Sequence, residues 1–101
     1  MRSKTKLLTK KKIESLLKKL PDWSANTTYT KLSATFSFDT HVGALAFIAR
    51  VTVHAEVLQH HPDIQFTYKK VKISITTHDA GGLTTKDFDL IHRIDKLTKG
   101  G

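Results

Sequence analysis

Cysteine is absent from this chain, so it has no disulfide framework, thiolate nucleophile or cysteine-ligated zinc site. Glycine is scarce, and the only internal pair, Gly81-Gly82, is too short for a phosphate-cradling loop and reads as turn geometry. Long apolar runs are missing as well. The longest, Val42–Val53, is broken by Arg50 and is too short to span a bilayer, and the basic N-terminus is not followed by a secretory apolar segment. The expectation is a cytoplasmic protein that does not engage a membrane. What remains, 101 residues with 39% hydrophobic and 26% charged side chains, suits one globular domain over residues 1–101, with loose ends at 1–6 and 99–101.

Acidic groups are outnumbered, 9 against 17 basic ones, for a net charge of +8. The excess is local. Residues 1–20 hold Arg2, Lys4, Lys6, Lys10, Lys11, Lys12, Lys18 and Lys19 against Glu14 alone, whereas the rest of the chain is nearly balanced. A phosphate-tracking groove needs basic residues spread over the folded surface with interleaved aromatics. That pattern is lacking, so the segment reads as a solvated arm and helix face, and nucleic acid is not an expected partner.

Periodicity predicts seven elements. Thr9 caps a first helix with the apolar stripe Ile13, Leu16, Leu17, Leu20, stopped by Pro21. Thr27–Phe38 reads as a strand pair, the second strand marked by Leu32, Ala34, Phe36 and Phe38 alternating with polar residues. Asp39 or Thr40 caps a second helix with the stripe Ala44, Phe47, Ile48, Val51, Ala55, Leu58, and Pro62 pushes His61 out of the helical region. Two strands follow, Ile64, Phe66 and Tyr68 alternating in one and Val71, Ile73 and Ile75 in the other, with Lys69-Lys70 as the turn. Thr84 and Asp87 form a capping box for a third helix that carries Leu90, Ile91, Ile94 and Leu97 inward. The order α-β-β-α-β-β-α predicts an α+β fold: a four-stranded antiparallel sheet with three helices packed on one face.

The chemistry lies in Glu56, His60, His61, His78, Asp79 and Asp87, because imidazole both gives and takes a proton near neutral pH. Other readings stand beside proton transfer. His60 and His61 also suit a helix terminus, whose dipole tolerates cations. No spacing matches a recognised zinc signature, so no metal is expected. Glu56 lies one turn before His60, which allows either a surface pair or a carboxylate that raises the imidazole's basicity. His78 shares parity with Lys72, Ser74 and Thr76 and is predicted to project from the face opposite the apolar row. Trp23 reads as core packing or as a stacking surface, and His41, His54 and His92 as structural or exposed.

In order and spacing, Glu56, His60-His61-Pro62, Tyr68, His78-Asp79-Ala80-Gly81-Gly82-Leu83-Thr84 and Asp87 resemble the signature of the pterin-4a-carbinolamine dehydratases, also described as dimerization cofactors of a homeodomain transcription factor. The likeness runs from about Trp23 to Leu97; Ile64 departs from it, standing where many members carry an aromatic residue. The resemblance implies conversion of a 4a-hydroxytetrahydropterin to quinonoid dihydropterin and water, with pterin as substrate and no cofactor. It makes His60 and His78 the acid and base candidates and His61 chiefly an orienting group, with Glu56 and Asp87 holding donor groups of the substrate or tuning the histidines, and Trp23 and Thr77 expected to bind substrate. It also implies a homodimer or homotetramer built through helix packing and sheet edges. A non-catalytic interaction module on the same fold is the alternative.

Overall fold

The computed structural model describes residues 6–99. The loose ends expected at 1–6 and 99–101 lie outside that range, except for Lys6, which has no regular structure, and Lys99, which closes the last helix. Helix α1 (Lys10–Leu17) starts as expected: the Thr9 side chain accepts from the Lys12 amide at 3.1 Å. The helix ends at Leu17, and Leu20 then joins Ile13 and Trp23 in the core.

Strands β1 (Ser24–Ala25), β2 (Leu32–Ser37), β3 (Asp63–Thr67) and β4 (Lys70–Ile75) form one antiparallel sheet in the order β1-β2-β4-β3. Helix α2 (His41–Leu58) joins β2 to β3, and a 3₁₀ turn (His78–Ala80) leads from β4 to helix α3 (Thr85–Lys99). The sequence of elements is the α-β-β-α-β-β-α predicted. Register explains why one face is dry: Leu32, Ala34 and Phe36 stand opposite Ile75, Ile73 and Val71, and all six are buried. Ile13, Ala44, Phe47, Val51, Phe88, Leu90, Ile91 and Ile94 from the helices complete that core. Phe36 tilts against Phe47 at 5.1 Å, while the outer face stays polar, with Ser33 and Ser74 hydroxyls 3.0 Å apart.

Local geometry overrides the alternation pattern at several points. Thr27–Phe38 contains one strand, not two, because the short partner β1 precedes it. Residues 26–31 instead form a loop in which Asn26 Oδ1 accepts from the Thr30 and Lys31 amides at 2.8 and 3.0 Å, a side-chain alternative to ladder pairing. In that loop Tyr29 adopts φ 56° and donates its hydroxyl to Glu14 at 2.9 Å; this bond, some burial and the carboxylate's charge hold its pKa above the ordinary tyrosine value. The β3–β4 turn is Tyr68-Lys69 rather than Lys69-Lys70, since Thr67 pairs with Lys70 and Tyr68 takes φ 51°. Tyr68 therefore leaves the β3 alternation and is exposed.

Candidate active site

The end of α2 separates the two adjacent histidines. Gln59 adopts the left-handed conformation at φ 52° and ψ 44°. Its amide donates to the Glu56 carbonyl at 3.2 Å and the His60 amide to the Ala55 carbonyl at 2.9 Å, the paired bonds of a Schellman motif. The helix thus stops before Pro62 can act. His60 turns inward and is 9% exposed, whereas His61 stays outside. The one-turn pairing of Glu56 with His60 is not formed, because the left-handed residue takes His60 off the helical face. Glu56 Oε2 instead accepts from Nε2 of His61, in an exposed pair.

Inside, His60 Nε2 donates to Asp87 Oδ1 at 2.7 Å. Asp87 has no exposed surface, so its charge must be met by protein donors. The Thr77 hydroxyl and the Thr84 amide supply them, reaching Oδ2 at 2.7 and 2.8 Å. The second bond is half of the predicted capping box, at the α3 N-terminus where a carboxylate is favoured. Thr77 spends its single proton on Asp87, so the Thr84 hydroxyl donates to Thr77 at 2.7 Å. The donor chain fixes the carboxylate, and the carboxylate fixes the His60 tautomer with its proton on Nε2. Among the described residues no buried side-chain nitrogen or oxygen lacks a partner, so Nδ1 of His60, which bonds to no protein atom, reaches the surface. A lone pair with solvent access on a carboxylate-braced imidazole is what a general base requires.

These contacts choose between the two roles the resemblance offers Asp87, favouring the tuning of a histidine over a substrate contact, and they place Thr77, expected to bind substrate, against the same carboxylate. Asp87 has no surface for a ligand and Thr77 is nearly buried with its hydroxyl bonded to the carboxylate, so both brace His60. The hydroxyl-to-hydroxyl and hydroxyl-to-carboxylate bonds of Thr84 and Thr77 are not visible from capping patterns, which pair a side chain with a backbone N–H.

His78 is placed beside Thr77 by a different route from the one its parity suggests. Strand β4 ends at Ile75, so strand alternation does not extend to residue 78. Thr77 instead bridges to Gly82, its amide donating to the Gly82 carbonyl at 2.9 Å, and His78 opens the 3₁₀ turn that this bridge encloses. His78 is exposed and directly follows Thr77, whose hydroxyl touches the carboxylate that holds His60. Gly81 closes the turn at φ 78°, a conformation that costs a residue with a Cβ about 1–2 kcal/mol. Gly81→Ala is expected to lower the unfolding free energy by about that much in a denaturant titration. Gly82→Ala should cost less, because the Leu7 Cδ2 atom 3.1 Å from its added Cβ is the tip of an exposed side chain.

Trp23 is not brought to the histidines. Its ring is 4% exposed, lies edge-on to Phe36 at 5.9 Å, and donates from Nε1 to Asp95 Oδ1 at 3.0 Å. Asp95 lies two helical turns beyond Asp87, about 12 Å along α3. The stacking role expected for Trp23 is therefore closed by packing. Among the other histidines, His54 accepts from Arg93 at 3.2 Å, and His41 stacks on Phe66 at 4.9 Å. No group of three or more His, Cys, Asp or Glu side chains among the described residues is placed to hold a metal ion.

Residues 6–97, which include every histidine and carboxylate of this site, match the family model described as pterin 4 alpha carbinolamine dehydratase. The chain belongs to that family. A Nostoc punctiforme relative, provisionally named a pterin-4-alpha-carbinolamine dehydratase, is 43% identical over 93 residues, covering 92% of this chain and 98% of that one. One from Picosynechococcus sp. with the same provisional name is 42% identical over 90 residues, covering 89% and 96%. A crystal structure described as a transcriptional coactivator/pterin dehydratase from Brucella melitensis matches with a TM-score of 0.86 at 25% identity, over 90% of this chain and 97% of that one. A pterin dehydratase-like protein described as a RuBisCO assembly factor in the alpha-carboxysome shares the fold, with a TM-score of 0.66 at 22% identity over 77% and 90%. In this chain His60 and His61 sit on the loop between α2 and β3 and His78 on the turn between β4 and α3, while their partners Glu56 and Asp87 come from the end of α2 and the start of α3.

Proposed function

We infer that this protein dehydrates 4a-hydroxytetrahydropterin to quinonoid dihydropterin and water by histidine acid/base catalysis. The observation that carries this reading is the buried bond from His60 to Asp87, which leaves Nδ1 of His60 as an accessible acceptor. In this reading His60 takes the proton from N5, and the electron pair of that N–H bond becomes the second bond between N5 and C4a. The C4a–O bond breaks as His78 protonates the departing hydroxyl, which leaves as water. The two transfers balance without net electron movement, so the reaction calls for no redox cofactor. His61, paired with Glu56 at the surface, orients the pterin. A positioned imidazole typically contributes about 10²- to 10⁴-fold.

The reading includes a cytoplasmic homo-oligomer. Helix α2 carries a second apolar stripe opposite its buried one: Val42, Leu45, Val53 and Val57 are 73%, 52%, 61% and 63% exposed. An exposed stripe of this kind marks an interaction face, and a second copy of the same self-complementary helix is the partner proposed. The same stripe favours the alternative, an interaction module whose catalysis is vestigial.

Ultraviolet absorbance of carbinolamine dehydration separates the two readings. The parent protein should outpace buffer, His60→Ala and His78→Ala should each lose about 10²- to 10⁴-fold in kcat, and His61→Ala should chiefly raise KM. A parent no faster than buffer, or three variants equal to the parent, would reject the enzyme and leave the interaction module.

A further inference from the structure

The turn that carries His78 is held from outside. His78 and Asp79 are exposed, and an open cavity of about 180 Å³ lies beside the turn, bordered by Leu7, Ile13, Tyr29 and Gly81. That gap is smaller than the roughly 300 Å³ at which small-molecule sites begin. It also means that packing alone does not fix the turn.

Beyond the Thr77–Gly82 bridge that closes it, hydrogen bonds from the N-terminal third hold the turn at both stems. On the entry side the Thr76 hydroxyl donates to the Thr30 carbonyl at 2.6 Å. On the exit side the Leu8 amide donates to the Leu83 carbonyl at 2.8 Å. Thr30 is itself immobilised, because Asn26 accepts from its amide at 2.8 Å and donates to its hydroxyl at 3.0 Å. The 26–31 loop therefore presents a fixed carbonyl to the residue two places before His78.

We propose that Thr76 is a positioning residue for His78: its bond to Thr30, opposite the Leu8–Leu83 clasp, sets where the His78 imidazole stands relative to the His60–Asp87 pair. This rests on the reading of His78 as a proton-transfer group. Thr76 touches no reacting atom. Its effect is geometric, and misplacement of a catalytic group by about 1 Å costs up to about 10²-fold.

The test is steady-state dehydration with Thr76→Val, which keeps the side chain's shape and removes the donor, beside Thr76→Ser, which keeps the donor. Thr76→Val should lower kcat about 10-fold with KM within about twofold, and Thr76→Ser should restore kcat. The double variant Thr76→Val/His78→Ala should be no slower than His78→Ala, because the two act as one unit. Asn26→Ala, which loosens the acceptor from the other side, should show the same non-additivity and serves if Thr76→Val fails to fold. Loss of activity in His78→Ala with parental kcat in Thr76→Val overturns the positioning role alone. Full additivity in the double variant also overturns it, since Thr76 would then act elsewhere. Parental activity in His78→Ala overturns both this role and the reading beneath it.

Discussion

Asp87→Asn is expected to lower kcat by about 10²- to 10⁴-fold while leaving KM nearly unchanged and the fold intact. The asparagine has one acceptor and one donor end. Two donors, the Thr77 hydroxyl and the Thr84 amide, already point at the Oδ2 position, so the amide oxygen settles there. The NH₂ group then faces His60 Nε2, which must become an acceptor. The ring proton moves to Nδ1, and the nitrogen that would take a proton from substrate no longer can. The positive charge formed on His60 during the reaction also loses its buried counter-ion. Steady-state kinetics with a melting curve decide the matter: parental kcat in a folded Asp87→Asn would remove Asp87 from the mechanism. Asp87→Ala tests it less cleanly, since it removes the acceptor of the Thr77 hydroxyl, the Thr84 amide and the His60 ring in a buried site and is expected to destabilise by about 1–3 kcal/mol per unmet group.

For the proposed pairing of α2 with a second copy, Val53→Lys is expected to leave a monomer, weakening association by at least about 3 kcal/mol, or more than about 10²-fold in Kd. In a two-fold pairing of α2 helices each substitution enters the interface twice, so two desolvated ammonium groups are brought together. In the monomer the same side chain is 61% exposed, and lysine there costs the fold little. Multi-angle light scattering across a concentration series reads the state directly. An assembly of unchanged mass in both Val53→Lys and Leu45→Lys would show that this stripe is not the contact. Activity of the resulting monomer then bears on the site, since every residue in the His60–Asp87 network comes from one chain.

Much of the fold was legible. Ala44, Phe47, Val51 and Ala55 announce the buried face of α2 at helical spacing, and Val71, Ile73 and Ile75 announce the inward row of β4 at strand spacing. Periodicity worked there because one face of each element is dry. It failed where a single backbone angle decides the outcome. Gln59, Tyr29 and Tyr68 take left-handed conformations that none of their side chains advertises: Gln59 ends α2 at the expected place in advance of Pro62, while the other two accompany a loop where a first strand was expected and a shifted hairpin turn. Trp23, read chiefly as core packing with a stacking surface as the other option, lies in the core, where its hydrogen bond to Asp95, 72 positions away, holds it.

The chain by itself determined its fold class, the burial pattern of its helices and strands, the charge imbalance of its first 20 residues and the identity of its chemistry-bearing side chains, since all of these depend on residue type and local spacing. Tertiary structure decided how those side chains are used. Whether Glu56 meets His60 or His61, whether Asp87 faces a ligand or a histidine, and which nitrogen of His60 stays open depend on angles at Gln59 and on contacts between α2, the β4–α3 loop and α3. Such long-range contacts leave no mark on sequence spacing, because hydrogen-bond partners are chosen by distance in the folded chain rather than by distance along it.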